Sequence, residues 1–247
     1  NLDFDFFNGD FEGKGKIEWI NGDLYEGEFK NWMSHGKGKY IDPIRNHVFE
    51  GNWFEGELHG EGMMDLGFNK YTGTFNKGDR EGFGEEITYI DTPNEGKYIG
   101  EFKYDTYHGK GKISFKDGSY QEGNFKNGFL NGKGIWSYSD GSFHKGNFID
   151  GVINGEGEYK SSEGDIYVGN FKDGLAHGKG KQTYAEGDTY EGDFLKGELT
   201  GFGKLSYSNG DSYEGNLISG LKSGKGTYNW KLRKEKYIGD WKEDLRD

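Results

Sequence analysis

Glycine pairs two residues apart recur along the chain at Gly13/Gly15, Gly36/Gly38, Gly60/Gly62, Gly82/Gly84, Gly109/Gly111, Gly132/Gly134, Gly155/Gly157, Gly178/Gly180, Gly201/Gly203 and Gly224/Gly226. The steps are 23, 24, 22 and 27 residues, then 23 five times over. A single glycine runs nine residues ahead of each pair at the same step: Gly27, Gly51, Gly73, Gly100, Gly123, Gly146, Gly169, Gly192, Gly215 and finally Gly239. In the first unit Phe4 fills that slot, followed by Phe6. An aromatic follows the glycine two places on throughout, with Leu217 as the exception. A fixed period of this length marks a repeat array, in which each unit buries its apolar surface against its neighbours.

Inside a unit the period is two. In Tyr190-Glu191-Gly192-Asp193-Phe194 the rings and the glycine share one face and the acids the other. The second half alternates as well: Gly132, Gly134, Trp136 and Tyr138 face one way and Lys133 the other. Asn8-Gly9, Asn127-Gly128, Asp150-Gly151 and Asp173-Gly174 separate the halves as favoured hairpin turns. Asn21-Gly22, Asp117-Gly118, Asp140-Gly141 and Asn209-Gly210 close the units. Turns at both ends of every strand predict an all-β antiparallel meander.

Composition agrees with a thin sheet. Only 31% of the 247 residues are apolar, too few for one large aliphatic core, yet 17% are aromatic and 46 are glycine. Two prolines exclude collagen. Glycine leaves room for a ring to lie across the backbone, so ring stacking is expected to replace an interior. On the opposite face Glu26, Glu28, Glu191 and Asp193 meet Lys37, Lys39, Lys179 and Lys181, pairs that give solubility and register more than stability. Tyr120 and Phe143 stand one residue early relative to Gly123 and Gly146, which leads us to expect β-bulges there.

The cleanest units read Asp-x-Tyr-x-Gly-x-Phe, as at Asp165 to Phe171 and Asp188 to Phe194, followed by a turn and Gly-x-Gly. This pattern resembles the MORN (membrane occupation and recognition nexus) repeat. The resemblance covers essentially the whole chain, with Trp32 and Asp105 departing from the turn glycine. It implies an elongated, single-layer, twisted open ribbon of about ten 23-residue hairpins over residues 1–247. The units fall near 2–24, 25–48, 49–70, 71–97, 98–120, 121–143, 144–166, 167–189, 190–212 and 213–236, with a partial unit at 237–247.

Residues that carry chemistry are scarce. Four of six histidines (His35, His59, His108 and His177) precede the first glycine of a pair, and equivalent slots two strands apart lie roughly 9.6 Å from each other. That is too far to share a metal, so a structural role is expected. Gly220 to Thr227 looks like a phosphate-binding loop but is one residue short, and Gly226 stands where a magnesium-binding hydroxyl belongs. There is no cysteine, no nucleophile elbow and no cofactor motif, so we expect no enzyme, no cofactor and no metal. The formal charge of −12 argues against nucleic acid and weakens the case for anionic lipid.

The aromatic face is therefore the expected partner-binding surface, for an amphipathic helix or an extended segment of another protein. Its rings are Tyr25, Phe29, Phe49, Trp53, Tyr71, Phe75, Tyr98, Phe102, Phe125, Trp136, Phe148, Tyr167, Phe171, Tyr190, Phe194 and Tyr213. A basic stretch, Lys231, Arg233, Lys234 and Lys236, offers a second contact for a membrane surface or an acidic partner. The resemblance adds a scaffold role, with a cytoskeletal or ciliary setting, oligomers through the terminal repeats, and two alternatives: a membrane-tethering module or the regulatory repeat region of a larger enzyme. Absence of cysteine suits an intracellular protein, and an opening on Asn1 leads us to expect a piece of a longer chain.

Overall fold

The computed structural model describes residues 3–7 and 10–247, with side chains from residue 12 onward. Phe4 and Phe6 as side chains, and the Asn8-Gly9 turn, lie outside the described residues. Among those described there are 22 strands, from Asp3–Phe7 to Leu245–Arg246, and no helix. Within each compact unit the strands pair antiparallel with their chain neighbours in an open meander. The strands group into two compact units, Asn1–Phe129 and Leu130–Asp247, where the repeat pattern alone draws one continuous array.

The two glycine series of the sequence merge into one row. In the first unit Gly15 pairs with Gly27, Gly27 with Gly38, Gly38 with Gly51, and so on to Gly111 with Gly123. In the second the row runs from Gly134–Gly146 to Gly226–Gly239. A tyrosine ring rests on each pair it reaches. A Cβ built on Gly203 stands 2.3 Å from Cε2 of Tyr190, and one on Gly180 stands 2.5 Å from Cε2 of Tyr167. Glycine is required there because any larger residue would occupy the ring's space.

The first glycine of each pair does a different job. Between Gly169–Gly180 and Phe171–Ala176 the register shifts, so that Asn170 alone faces His177, Gly178 and Lys179. The φ of Gly178 is +73°, in the left-handed region that favours glycine. The same shift recurs in seven other hairpins, for example between Gly51 and Trp53 and between Gly215 and Leu217. Of the four glycine-preceding histidines, His59 and His177 fall inside this bulge, while His35 and His108 border it, paired with Glu28 and Glu101.

The bulges expected at Tyr120 and Phe143 are absent. Register is unbroken from Ser114–Tyr120 to Gly111–Gly123, and from Ser137–Phe143 to Gly134–Gly146. Gln121 and His144 simply take the tyrosine position. Tyr120 turns to the charged face instead, where Nζ of Lys112 lies 4.4 Å from its ring centre.

The two-residue turns behave as the sequence predicts. Asn127-Gly128 has φ of +50° and +88°, and Asp150-Gly151 has +47° and +82°. These are type I′ hairpin turns, whose twist matches that of the strands. Trp32 and Asp105 adopt the same conformation without being glycine, at +63° and +61°.

Candidate functional site: the aromatic face

Each unit's aromatic face is built from three side chains per repeat. Tyr190 donates its hydroxyl to the carbonyl of Asp193 (3.0 Å), with the Thr200 carbonyl at 3.1 Å. The equivalent bond runs from Tyr71 to Thr74 (2.9 Å) and from Tyr213 to Asn216 (2.8 Å). Phenylalanines stand edge-on between tyrosines: Phe194 lies 5.2 Å from Tyr190 and 4.8 Å from Tyr167, both near-perpendicular. Such T-shaped pairs add roughly 0.5–1.5 kcal/mol beyond area burial. Burial pushes the phenols of Tyr25, Tyr71 and Tyr190 up to about 12.

The motif aspartate ties one unit to the next. Asp165 accepts from the amide of Ala185 (2.9 Å), Asp188 from Ser208 (2.8 Å) and Asp211 from Lys231 (2.9 Å). Each bond reaches the closing turn of the following repeat.

Of the sixteen rings singled out in the sequence, thirteen are buried at 0–5% exposure: Tyr25, Phe29, Tyr71, Phe75, Tyr98, Phe102, Phe125, Phe148, Tyr167, Phe171, Tyr190, Phe194 and Tyr213. They are the core of their own sheets. Phe49, Trp53 and Trp136 are half-buried. The basic residues Lys231, Arg233, Lys234 and Lys236 are exposed around a turn between Trp230 and Glu235, with Leu232 at its tip 88% exposed.

A third position on this face escaped the sequence reading. Two residues before the first glycine of each pair stands Ser34, Leu58, Arg80, Tyr107, Leu130, Ile153, Ala176, Leu199 or Lys222. Its carbonyl accepts the amide of the next hairpin's turn, as Gly78 to Leu58 (2.9 Å) and Gly220 to Leu199 (2.8 Å). Leu58, Leu130 and Ile153 are buried there. Its separation from the repeat's glycines would have revealed it, but its chemistry varies too much to register as a motif.

Where this position is a cation, the turn one repeat later carries aspartate in place of glycine. Arg80 donates its backbone amide and its Nε to Asp105, both at 3.0 Å, and its guanidinium also meets Glu86. Burial would lower the Arg80 pKa, but Glu86 and Asp105 more than offset it and the pKa is raised. Lys222 donates its amide (2.9 Å) and its Nζ (3.0 Å) to Asp244. Its ammonium lies 5.7–5.9 Å from the ring centres of Tyr207, Tyr213, Tyr228 and Trp241.

At Ser34 the face opens. Beside Ser34 lies an apolar cleft of about 430 Å³, walled by Trp19, Tyr40, Phe49, Trp53, Leu58 and Met64. The Trp53 indole donates to the Gly38 carbonyl (2.9 Å) and the Tyr40 hydroxyl to Asp23 (2.5 Å), which fixes two of these walls.

An open antiparallel meander with this repeated Tyr-Gly-Phe face defines a β-repeat array. The family model for the MORN repeat matches it in eleven segments, 5–24, 25–46, 49–66, 71–88, 98–120, 122–143, 144–166, 167–189, 190–212, 213–231 and 237–247, and the chain belongs to that family. Human and rat Alsin are each 33% identical to it over 149 residues, 48% of this chain and 9% of Alsin. MORN repeat-containing protein 3 of Xenopus laevis is 43% identical over 47 residues, 19% of this chain and 20% of that protein. The chain thus spans a small part of the curated relatives it matches. Among solved structures, the SAS-4 TCP domain of Drosophila melanogaster aligns over 83% of this chain and 90% of its own, at 13% identity and a TM-score of 0.32, too slight a likeness to bear on function.

Proposed function

We propose that the chain is a non-catalytic scaffold that binds protein partners through its aromatic face. The observation that carries this reading is the cleft beside Ser34. Thirteen rings are spent on the fold, so a partner's contact falls where the face stays open, on Trp19, Tyr40, Phe49 and Trp53. An apolar side chain from an amphipathic helix or extended segment fits this opening, because leucine and isoleucine fill the same position in sister hairpins. The cytoskeletal or ciliary setting belongs to this proposal and rests on family resemblance.

The test compares partners captured by the wild-type chain, by Ser34→Leu, which fills the cleft, and by Trp19→Ala. Loss of a partner from both folded variants supports the reading, and identical partner sets contradict it. Immunolocalisation of the full-length protein on microtubule structures supports the setting; staining confined to membranes counts against it.

A second reading has its own observation. Lys231, Arg233, Lys234 and Lys236 surround an exposed Leu232 on one turn, an arrangement suited to an anionic membrane surface. Salt-sensitive sedimentation with phosphatidylserine vesicles, lost when the four are neutralised, supports it; no sedimentation at low salt contradicts it.

A further inference from the structure

Lys222 carries its ammonium among four rings, Tyr207, Tyr213, Tyr228 and Trp241, which stand 15 and 9 residues before it and 6 and 19 after it. The same four spacings from Ser34 fall on Trp19, Tyr25, Tyr40 and Trp53, rings that wall its cleft. The geometry is kept with the spacing. Tyr25 and Trp53 lie 5.3 Å apart at 87°, and Tyr213 and Trp241 lie 5.5 Å apart at 83°. Trp19 and Tyr40 are 6.1 Å apart, and Tyr207 and Tyr228 are 5.9 Å apart. Tyr40 donates to Asp23 as Tyr228 donates to Asp211. The repeat does not enforce this set: Ala176, the other small residue of the row, has Ser161 and Gln182 at the first and third spacings. The cleft therefore repeats the Lys222 cage with a serine in place of the lysine.

We propose that the cleft beside Ser34 receives a trimethylated lysine side chain of a partner protein. The inference rests on the partner-binding reading above and names the side chain that the cleft takes. Ring faces attract a cation, and more strongly once it is desolvated. The difference from the Lys222 cage selects the methylated form. Lys222 donates its Nζ to Asp244 (3.0 Å), whereas the matching turn position beside Ser34 is Gly56. A primary ammonium entering the cleft gives up water without gaining that acceptor, and a trimethylammonium has no N–H to satisfy. A Cβ built on Gly56 meets nothing within 4 Å, so the side from which Asp244 reaches Lys222 is open at Ser34. Charge favours a cation as well: Asp23, Asp42 and Glu57 bear on the walls, against Arg45, which Asp42 holds at 2.8 Å. The same acids repel a choline phospholipid, whose phosphate follows its quaternary nitrogen closely, while the stem of a lysine is apolar.

The test is NMR titration of the chain with N-acetyl-trimethyllysine methylamide, read at the indole N–H resonances of Trp19 and Trp53 with Trp136 as internal reference. Both cleft signals should shift along one binding curve while Trp136 stays in place. The analogue with a neutral tert-butyl group in place of trimethylammonium should bind at least about tenfold more weakly, and the unmethylated lysine derivative at least about fivefold. Ser34→Lys installs the side chain that the array already accepts at Lys222, and should abolish the shifts in a chain that stays folded. Trp19→Ala, at a ring 45% exposed, should weaken binding about tenfold. Phosphatidylcholine vesicles should not displace the probe. The absence of any shift, a neutral or unmethylated analogue as tight as the trimethylated one, binding that survives both substitutions, or displacement by the vesicles overturns the inference. A tight neutral analogue does so while leaving an apolar partner site, whereas captured partners indifferent to Ser34→Leu remove that site itself.

Discussion

Asp105 stands where most hairpins of this chain place a turn glycine, and its carboxylate receives the amide and the Nε of Arg80, both at 3.0 Å, from one repeat earlier. Asp244 repeats the arrangement with Lys222. A cation inside the aromatic face is thus matched by an anion in the following turn, so what reads in the sequence as a lost turn glycine is half of a clamp.

Arg80 is buried against Glu86, which is itself only 8% exposed at the side chain. Truncating one partner strands the other. Arg80→Ala should cost about 3–5 kcal/mol in denaturant unfolding, whereas Arg80→Leu with Glu86→Leu should fall within about 1 kcal/mol of wild type, as Leu58 already fills the equivalent place. Equal losses in both variants would remove the charge argument.

Acid should release the same clamp. Burial alone would raise the Asp105 carboxyl, but the Arg80 bonds outweigh it and hold its pKa below the usual value. A depressed carboxylate contributes stability above its unfolded pKa near 4, lost as pH falls through the folded value. Asp105→Asn should flatten the acid limb of a stability-versus-pH curve measured by circular dichroism.

Alkali should act on the rings. Tyr25, Tyr71, Tyr190 and Tyr213 are pushed to about 12 by burial, against an ordinary value of 10.0. The unfolded chain loses those protons first, so stability falls as pH rises from about 10 to about 12. Tyrosinate absorbance should appear together with loss of the sheet signal. Titration of these phenols in a chain that stays folded at pH 10 would contradict their burial.

The cleft beside Ser34 is a vacancy at a position that Leu58, Leu130 and Ile153 fill in sister hairpins. Ser34→Leu should raise the unfolding midpoint, by about 1 kcal/mol in stability, because it buries a side chain where the sister hairpins bury Leu58 and Leu130. A loss of stability would show that the cleft's walls have closed on their own geometry.

The repeat grammar made the fold readable from the sequence. Gly180 and Gly192, or Tyr167 and Phe171, recur at a fixed step, and period two assigned their faces. The bulge was hidden, because its glycines look identical to those under the rings; only their φ values and register tell Gly178 from Gly180. The row of Ser34, Leu58, Arg80 and Lys222 was hidden for the opposite reason, since its residues share a place and no chemistry. The aromatic face was found, but the sequence could not say that Tyr71 or Tyr190 would be consumed by the fold while Trp19 and Tyr40 stayed open. That depends on what fills the position beside them.

The claim on which all of this rests is that tyrosine rings lying on paired glycines take the place of an interior. A double-mutant cycle between Tyr190 and Gly203, followed by denaturant unfolding, tests it most directly. With the tyrosine present, Gly203→Ala should cost about 1–3 kcal/mol from overpacking against the ring, and in the Tyr190→Ala background only a few tenths, a coupling on the order of 2 kcal/mol. Additive losses, or an alanine at 203 accepted beside an intact Tyr190, would contradict the account.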